Sequence, residues 1–110
     1  MITHIYVIFD QQANAATHPI FSQEDGFVIR EFVRAVSGGD KKMTDFKEDY
    51  TLFEVGTYDD EAMLFEATPP RRVISGIEAQ KKSLMEDEEV TKLRQQIEAL
   101  QDQVIEITKE

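Results

Sequence analysis

The sequence predicts an α+β fold, in which a small β-α-β-β head domain is followed by a C-terminal coiled-coil helix. Strand-like and helix-like hydrophobic patterns alternate over residues 1–80, and all five glycines and all ten aromatic residues lie there. Residues 81–110 contain no glycine, proline or aromatic residue and are rich in Glu, Gln, Lys, Leu, Ile and Val, as coiled coils are. We therefore expect a head domain at 1–80 and an oligomerisation helix at 81–110.

Hydrophobic periodicity predicts the first elements of the head. Ile2–Phe9 is rich in β-branched and aromatic residues and is typical of a strand. Gln11–Phe21 contains turn-forming residues and is interpreted as a loop. Apolar residues at helical spacing predict a helix over Gln23–Val36, with a weak capping box beginning at Ser22. The pair Gly38-Gly39 is expected to end this helix.

The second half of the head is predicted to form a hairpin. Asp40–Asp49 is polar and is interpreted as a long connection. Tyr50–Tyr58 and Ala62–Glu66 are predicted strands, joined by an acidic turn. Pro69-Pro70 is expected to break the chain. Val73–Gln80 fits either a short strand or the beginning of the tail helix.

The tail carries a heptad pattern. Its apolar residues are separated alternately by three and four positions, at Val90, Leu93, Ile97, Leu100, Val104 and Ile107. This a/d alternation predicts a left-handed coiled coil, and β-branched a positions with mainly Leu at d favour a parallel dimer. A trimer or tetramer remains open. The alternative is one amphipathic helix packed on its own head, which usually needs a wider apolar stripe.

Composition and charge narrow the function classes. No apolar run approaches the ~18 residues of a membrane-spanning helix, and we expect no membrane association or secretory signal. The chain has no cysteine, which excludes disulfides. The net charge is −10, and the overall field therefore repels nucleic acid. Any nucleic-acid site is expected to be a local basic patch.

Motifs for catalysis or metal binding are weak. The two histidines, His4 and His18, have no cysteine partners for a zinc site. The serines show no nucleophile-elbow pattern, and the Gly38-Gly39 segment lacks the spacing of a Walker motif. We expect no enzyme activity, no cofactor and no metal.

Basic side chains are the remaining candidates for a binding site, namely Arg30, Arg34, Lys41, Lys42, Lys47, Arg71 and Arg72. Together with exposed aromatic residues such as Tyr50 or Tyr58, they are candidates for binding single-stranded DNA by charge and stacking, although the residues alone favour a solvated surface. The alternative is that they form an ordinary solvated surface.

Several short motifs occur in a distinctive order, comprising Tyr6-Val7-Ile8-Phe9-Asp10, Pro19-Ile20-Phe21, Val28-Ile29-Arg30-Glu31-Phe32 and Glu48-Asp49-Tyr50-Thr51-Leu52-Phe53-Glu54-Val55-Gly56. In this order they resemble the small nonstructural protein of gokushoviruses, the single-stranded DNA phages of the Microviridae. The resemblance covers residues 5 to about 78. Lys47 stands where the family usually has Pro, and the tail is not a general feature of the family.

The resemblance implies a phage protein made in the bacterial host cytoplasm and associated with viral DNA synthesis. Of the basic candidates, only Arg30 lies in a matching motif. The favoured hypothesis is a homo-oligomer that binds single-stranded DNA and assists genome replication or single-strand synthesis and packaging. The alternatives are an adaptor for a phage or host replication protein, and an internal scaffolding protein.

Overall fold

The computed structural model describes the backbone of residues 1–109 and the side chains of residues 1–86 and 88–102. It combines one antiparallel sheet with helices, so the α+β prediction is confirmed. The strands are β1 (Ile2–Asp10), β2 (Ala15–Ala16), β3 (Ile20–Ser22), β4 (Tyr50–Asp59) and β5 (Leu64–Ser75). The helices are α1 (Asp25–Arg34), α2 (Lys41–Asp45) and α3 (Gly76–Lys109).

The long strand β1 organises the sheet. The strand order is β2-β1-β4-β5, and β3 pairs with β1 beside β2. Pairing of β1 with β4 runs from Ile2 opposite Asp59 to Asp10 opposite Tyr50, with a register shift between Ile5 and Tyr6. β5 is therefore an edge strand, and β1 and β4 form the centre.

In the described part of the chain, the helices pack on one face of this sheet, which we call the covered face. Tyr6 and Leu52 are completely buried there. Phe32 of α1 and Ala79 of α3 pack into the same cluster, as does Met43 of α2. Burial of such apolar area, at roughly 25 cal/mol per Å², is the main force that holds the helices on the sheet.

The predicted first helix is confirmed, although its ends differ. α1 begins at Asp25, and Ser22 does not cap it, because the Ser22 hydroxyl bonds the carbonyl of Glu24 instead. After Arg34 the chain continues in a wider turn to Gly39. Gly38 has φ of +123°, a conformation that favours glycine, and the glycine pair ends the helical segment as predicted.

Two connections contain more structure than the sequence predicted. The expected loop at Gln11–Phe21 includes β2 and most of β3, because Thr17 is tied to Ile8 by two hydrogen bonds of 2.9 and 3.0 Å. The expected connection at Asp40–Asp49 contains α2 and a 3₁₀ turn. The Asp40 carboxylate caps α2 by accepting from the Met43 amide at 3.1 Å. The loop prediction was wrong because polar composition hid the pairing with β1. The second prediction was wrong because the local capping signal at Asp40 was overlooked.

The predicted hairpin is confirmed, but its second strand is much longer than expected. β5 continues through Pro69-Pro70 to Ser75, and the prolines therefore do not break the chain. One register shift of the β4–β5 pairing lies between Leu52 and Phe53. The prolines lie within a second register shift, between the pairs Glu54–Arg71 and Gly56–Ala67. Proline is tolerated there because edge strands and bulges leave backbone amides unpaired.

The undecided segment at Val73–Gln80 is divided between the end of β5 and the first turn of α3. An added Cβ at Gly76 would lie 1.9 Å from the carbonyl oxygen of Lys47, so only glycine permits this close approach. From there α3 runs for 34 residues, about 50 Å at 1.5 Å per residue. Within the described residues, no helix is long and apolar enough to cross a membrane.

Candidate nucleic-acid interface

The second face of the sheet, which we call the open face, carries a group of aromatic side chains. Residues paired directly across an antiparallel sheet present their side chains on the same face. The pairing therefore assigns one face to Thr3, Ile5, Val7, Phe9, Phe21, Phe53, Tyr58 and Phe65. Of these residues, Ile5 is buried and the others are partly or fully exposed. All of them lie outside the cluster that the helices help to form.

Two aromatic pairs stand on this face. The rings of Phe9 and Phe53 meet edge to face, with centroids 6.4 Å apart. The rings of Tyr58 and Phe65 are 4.6 Å apart and tilted by 35°. Phe65 is 69% exposed and Phe21 is 52% exposed, and the other three are partly exposed.

The spacing of the pairs suits an extended ligand. Phe53 and Tyr58 on β4 stand opposite Val7 and Thr3, which are four positions apart on β1, or roughly 13 Å at ~3.3 Å per residue. Aromatic side chains on an exposed sheet face stack with unpaired bases, and each such stack contributes about 1–3 kcal/mol in single-strand binding proteins. The open face therefore has the chemistry of a stacking platform.

The covered face carries a polar network at the N-terminus of α1. Arg71 donates from Nε to Glu54 at 2.8 Å and from Nη2 to Asp25 at 3.1 Å. The buried Tyr6 hydroxyl donates to the same Asp25 carboxylate. Nδ1 of His4 lies 2.6 Å from the other oxygen of Glu54. The network joins β1, α1, β4 and β5 at the bulged part of the hairpin.

These contacts change the acid–base properties of the network. Burial, followed by the hydrogen bond to Asp25, raises the pKa of Tyr6 well above its ordinary value. The hydrogen bond from Tyr6, assisted by Arg71, lowers the pKa of Asp25. Burial by itself would raise the pKa of Glu54, but the hydrogen bonds from His4 and Arg71 outweigh it and lower that pKa. At neutral pH the two carboxylates are therefore charged and paired.

The predicted basic residues do not form one patch. Arg71 belongs to the polar network, and Arg72, which stands opposite Phe53, is paired with Glu78 of α3. Arg34 lies 3.4 Å from Glu31. The others are on the helical side of the head, with Arg30 on α1, Lys41 and Lys42 on α2, and Lys47 in the 3₁₀ turn.

The structure brings two of these cations into concave surfaces. Arg30 lies in a groove between α1 and α3 together with Lys82, which is not among the predicted basic residues. Lys42 lines a cleft beside Phe46 and Tyr50. Of the predicted basic residues, Arg72 alone occupies an open-face position, so the fold separates most of the positive charge from the aromatic platform.

The two predicted stacking residues, Tyr58 and Tyr50, differ in their exposure to solvent. Tyr58 is on the open face, as a stacking role requires. Tyr50 is only 6% exposed and packs in the core, so the expectation that it is available for stacking was wrong. The open-face residues Phe9, Phe53 and Phe65 were not predicted from sequence. For Phe9 and Phe53, alternation with Ile8 and Leu52, which pack in the core, was a usable signal.

The tail helix presents its predicted apolar positions to solvent. Val90, Leu93, Ile97 and Leu100 are between 47% and 61% exposed. Val104 and Ile107 lie outside the side chains that the structure describes. The four described positions form one stripe with no cover from the head.

Comparison with known proteins identifies the family. The model of the phage ORF5 protein family matches residues 3–79, about 70% of the chain. The chain belongs to the phage ORF5 protein family. The matched part of this ORF5 family member contains the sheet except for Ile2, both aromatic pairs and the polar network, and it ends in the first turn of α3. No curated protein and no solved structure gives a significant match.

Proposed function

We propose that this ORF5 family member is a homo-oligomeric, single-stranded-DNA-binding protein of the gokushovirus type, without enzyme activity, which assists viral genome replication or single-strand synthesis and packaging in the host cytoplasm. The observation that supports this proposal most is the open face, where Phe9 and Phe53, then Tyr58 and Phe65, stand partly exposed on adjacent strands. Stacking tolerates any base and needs unpaired bases, so such a surface favours single strands over duplex.

Charge is the chief obstacle to this function, and oligomerisation offsets it. With a net charge of −10, each subunit repels phosphates overall, and only its local basic side chains attract them. When subunits are linked, binding of DNA by one subunit raises the effective concentration of DNA at the others to roughly millimolar, as is typical of short connections. The exposed stripe of Val90, Leu93, Ile97 and Leu100 supports assembly by a parallel coiled coil, with a dimer favoured.

The DNA-binding proposal is tested by fluorescence anisotropy of labelled single-stranded and duplex oligonucleotides across a salt series. We expect single strands to bind more tightly, with an affinity that falls as salt rises. The double variant Phe53→Ala with Tyr58→Ala is expected to lose most of this binding. Thr57→Ala, on the other face of β4, is the matched control. Absence of binding to either oligonucleotide at low salt would refute the proposal.

Assembly is tested separately by sedimentation velocity. Leu93→Asp with Ile97→Asp places charge in the apolar stripe, and we expect dissociation to monomers. Gln95→Asp with Ala99→Asp adds the same two charges, with the same spacing, on the outer side of a parallel coiled coil and is expected to leave the oligomer intact. A wild-type chain that sediments as a monomer at high micromolar concentration would contradict the assembly.

A second candidate function, an adaptor for a phage or host replication protein, is supported by the hairpin tip. Met63 is 77% exposed and Leu64 is 65% exposed, and the acidic residues Asp60 and Glu61 adjoin them in the turn. An exposed apolar tip beside carboxylates fits a partner with a basic and apolar surface. Binding of a defined replication protein without DNA, lost in Met63→Ser with Leu64→Ser, would favour the adaptor.

A further inference from the structure

A cleft of about 230 Å³ lies where β1 ends and β4 begins. Asp10 and Tyr50 form its floor beside the sheet, and Lys42, Phe46 and Asp49 contribute its other walls. Because Asp10 directly follows Phe9, the cleft adjoins one end of the open face. Its volume is below the ~300–1,000 Å³ of sites for drug-sized ligands and is suited to a single flat heterocycle.

Three kinds of side chain meet in this cleft. Phe46 is 52% exposed, although it is large and apolar, and it offers a ring face for stacking. Lys42 lies one helical turn before Phe46 and forms no ion pair within the described residues. Asp49 supplies a carboxylate. An aromatic ring, a cation and a hydrogen-bond acceptor are the groups that recognise a nucleotide.

The two carboxylates of the cleft differ in what they already bind. Asp10 accepts from the amides of Gln12 and Ala13, at 3.0 and 3.3 Å. Burial, together with Asp10, raises the pKa of Tyr50, in keeping with a phenol that donates to that carboxylate. Asp10 is therefore satisfied within the protein.

Asp49 is positioned by its backbone and keeps its carboxylate free. Its carbonyl accepts from the Gln11 amide at 2.8 Å, and its own amide donates to the Phe46 carbonyl at 2.9 Å. No hydrogen bond to its side chain is found in the described part of the chain. The carboxylate of Asp49 is thus an unused acceptor in the cleft that Phe46 also lines.

We propose that this cleft binds a guanine base of single-stranded DNA and gives the protein a base preference, an inference that rests on the proposed DNA-binding function. Guanine presents two adjacent donors, the N1 hydrogen and the N2 amino group, to the Asp49 carboxylate. Adenine, cytosine and thymine each place an acceptor on that edge, which the carboxylate repels. Phe46 stacks on the base, and Lys42 contacts the adjoining phosphate.

The test compares oligonucleotides of equal length by anisotropy at one salt concentration, using the full chain. One probe contains only thymine, and the other contains isolated guanines among thymines. We expect the guanine probe to bind about tenfold more tightly, the discrimination typical of one bidentate base contact. Asp49→Asn is expected to bring the ratio of the two affinities close to one.

Asp45→Asn is the matched control, because it removes the same charge from α2 at an exposed position outside the cleft, and the guanine preference should persist. Equal affinity of the wild type for both probes would overturn the guanine site and leave the proposed function standing. A preference that survives in Asp49→Asn would overturn the assignment to this cleft. Absence of binding to both probes would overturn the two proposals together.

Discussion

Aromatic side chains lie on both faces of the sheet, but they are buried on the covered face and partly exposed on the open face. On the covered face, Tyr6 and Leu52 have lost all contact with solvent, and the Tyr6 hydroxyl is occupied by Asp25. On the open face, Phe53 and Tyr58 stack against neighbouring rings and remain accessible. Aromatic residues that fold the domain are thus on one side of β4, and those available to a ligand are on the other. Substitutions on the two faces should therefore affect different properties.

The largest expected effect is on stability, from the covered face. Leu52→Ala removes a fully buried side chain and leaves a cavity, and we expect a loss of about 2–5 kcal/mol in the free energy of unfolding. Substitution of the next residue, Phe53→Ala, should reduce the free energy of unfolding clearly less, because the Phe53 side chain is partly exposed and its removal leaves no enclosed cavity. Chemical denaturation of both variants measures the difference. Equal losses would mean that the two faces are not distinct.

The reverse order is expected for DNA binding. Phe53→Ala removes one stacking ring and should weaken single-strand binding by about tenfold, within the ~1–3 kcal/mol of a base–aromatic stack. An Ile74→Val substitution, on the covered face of β5, should leave the affinity unchanged while the protein remains folded. Anisotropy titrations at a fixed salt concentration measure both. A weaker affinity for Ile74→Val alone would reverse the assignment of the faces.

A second comparison of stability is between the neighbouring residues Arg71 and Arg72, each of which forms ion pairs with carboxylates. Arg71→Ala leaves Asp25 and the largely buried Glu54 without their shared partner, and we expect a loss of about 1–3 kcal/mol in stability. Arg72→Ala breaks only an exposed pair with Glu78 and should cost less than ~1 kcal/mol. Thermal unfolding of the two variants compares these losses. A greater loss for Arg72→Ala would show that the polar network does not stabilise the fold.

The smallest expected effect is on the pH dependence of stability. The pKa values of Asp25 and Glu54 are lowered on folding, so their contribution is complete above the ordinary values of 3.8 and 4.5 and is lost as the pH falls below them. The pKa of Tyr6 is raised from 10.0, so stability should also fall above pH 10, where only the unfolded chain ionises. Denaturation at a series of pH values measures both limits. Arg71→Ala should flatten the acid limb, and an unchanged limb would contradict this account.

Much of the fold was accessible from sequence because the strands and helices have strong periodic signals. β1, α1, β4 and the tail helix were predicted for this reason. The contacts that depend on residues distant in sequence were not predicted. In the sequence, Pro69-Pro70 has the appearance of a strand-breaking pair. β5 continues through it because the pair lies on a bulged edge strand.

The candidate site was less predictable than the fold. Basic residues were selected by charge, but sequence does not reveal that Arg71 is bound by Glu54 and Asp25 from two other elements. Tyr50 and Tyr58 looked alike in sequence, and the register of the sheet separates them into a buried and an accessible residue. Tertiary packing determines which face of the sheet the helices cover. It therefore also determines which aromatic side chains remain exposed on the open face.

The most direct test of the open face as the DNA-binding surface is photocrosslinking with single-stranded DNA that contains 5-iodouracil, followed by mass spectrometry of the attached peptides. We expect crosslinks at Phe53, Tyr58 and Phe65, and none at the buried Tyr6. Crosslinks confined to the groove between α1 and α3, near Arg30 and Lys82, would contradict the account and transfer the binding surface to the helical side.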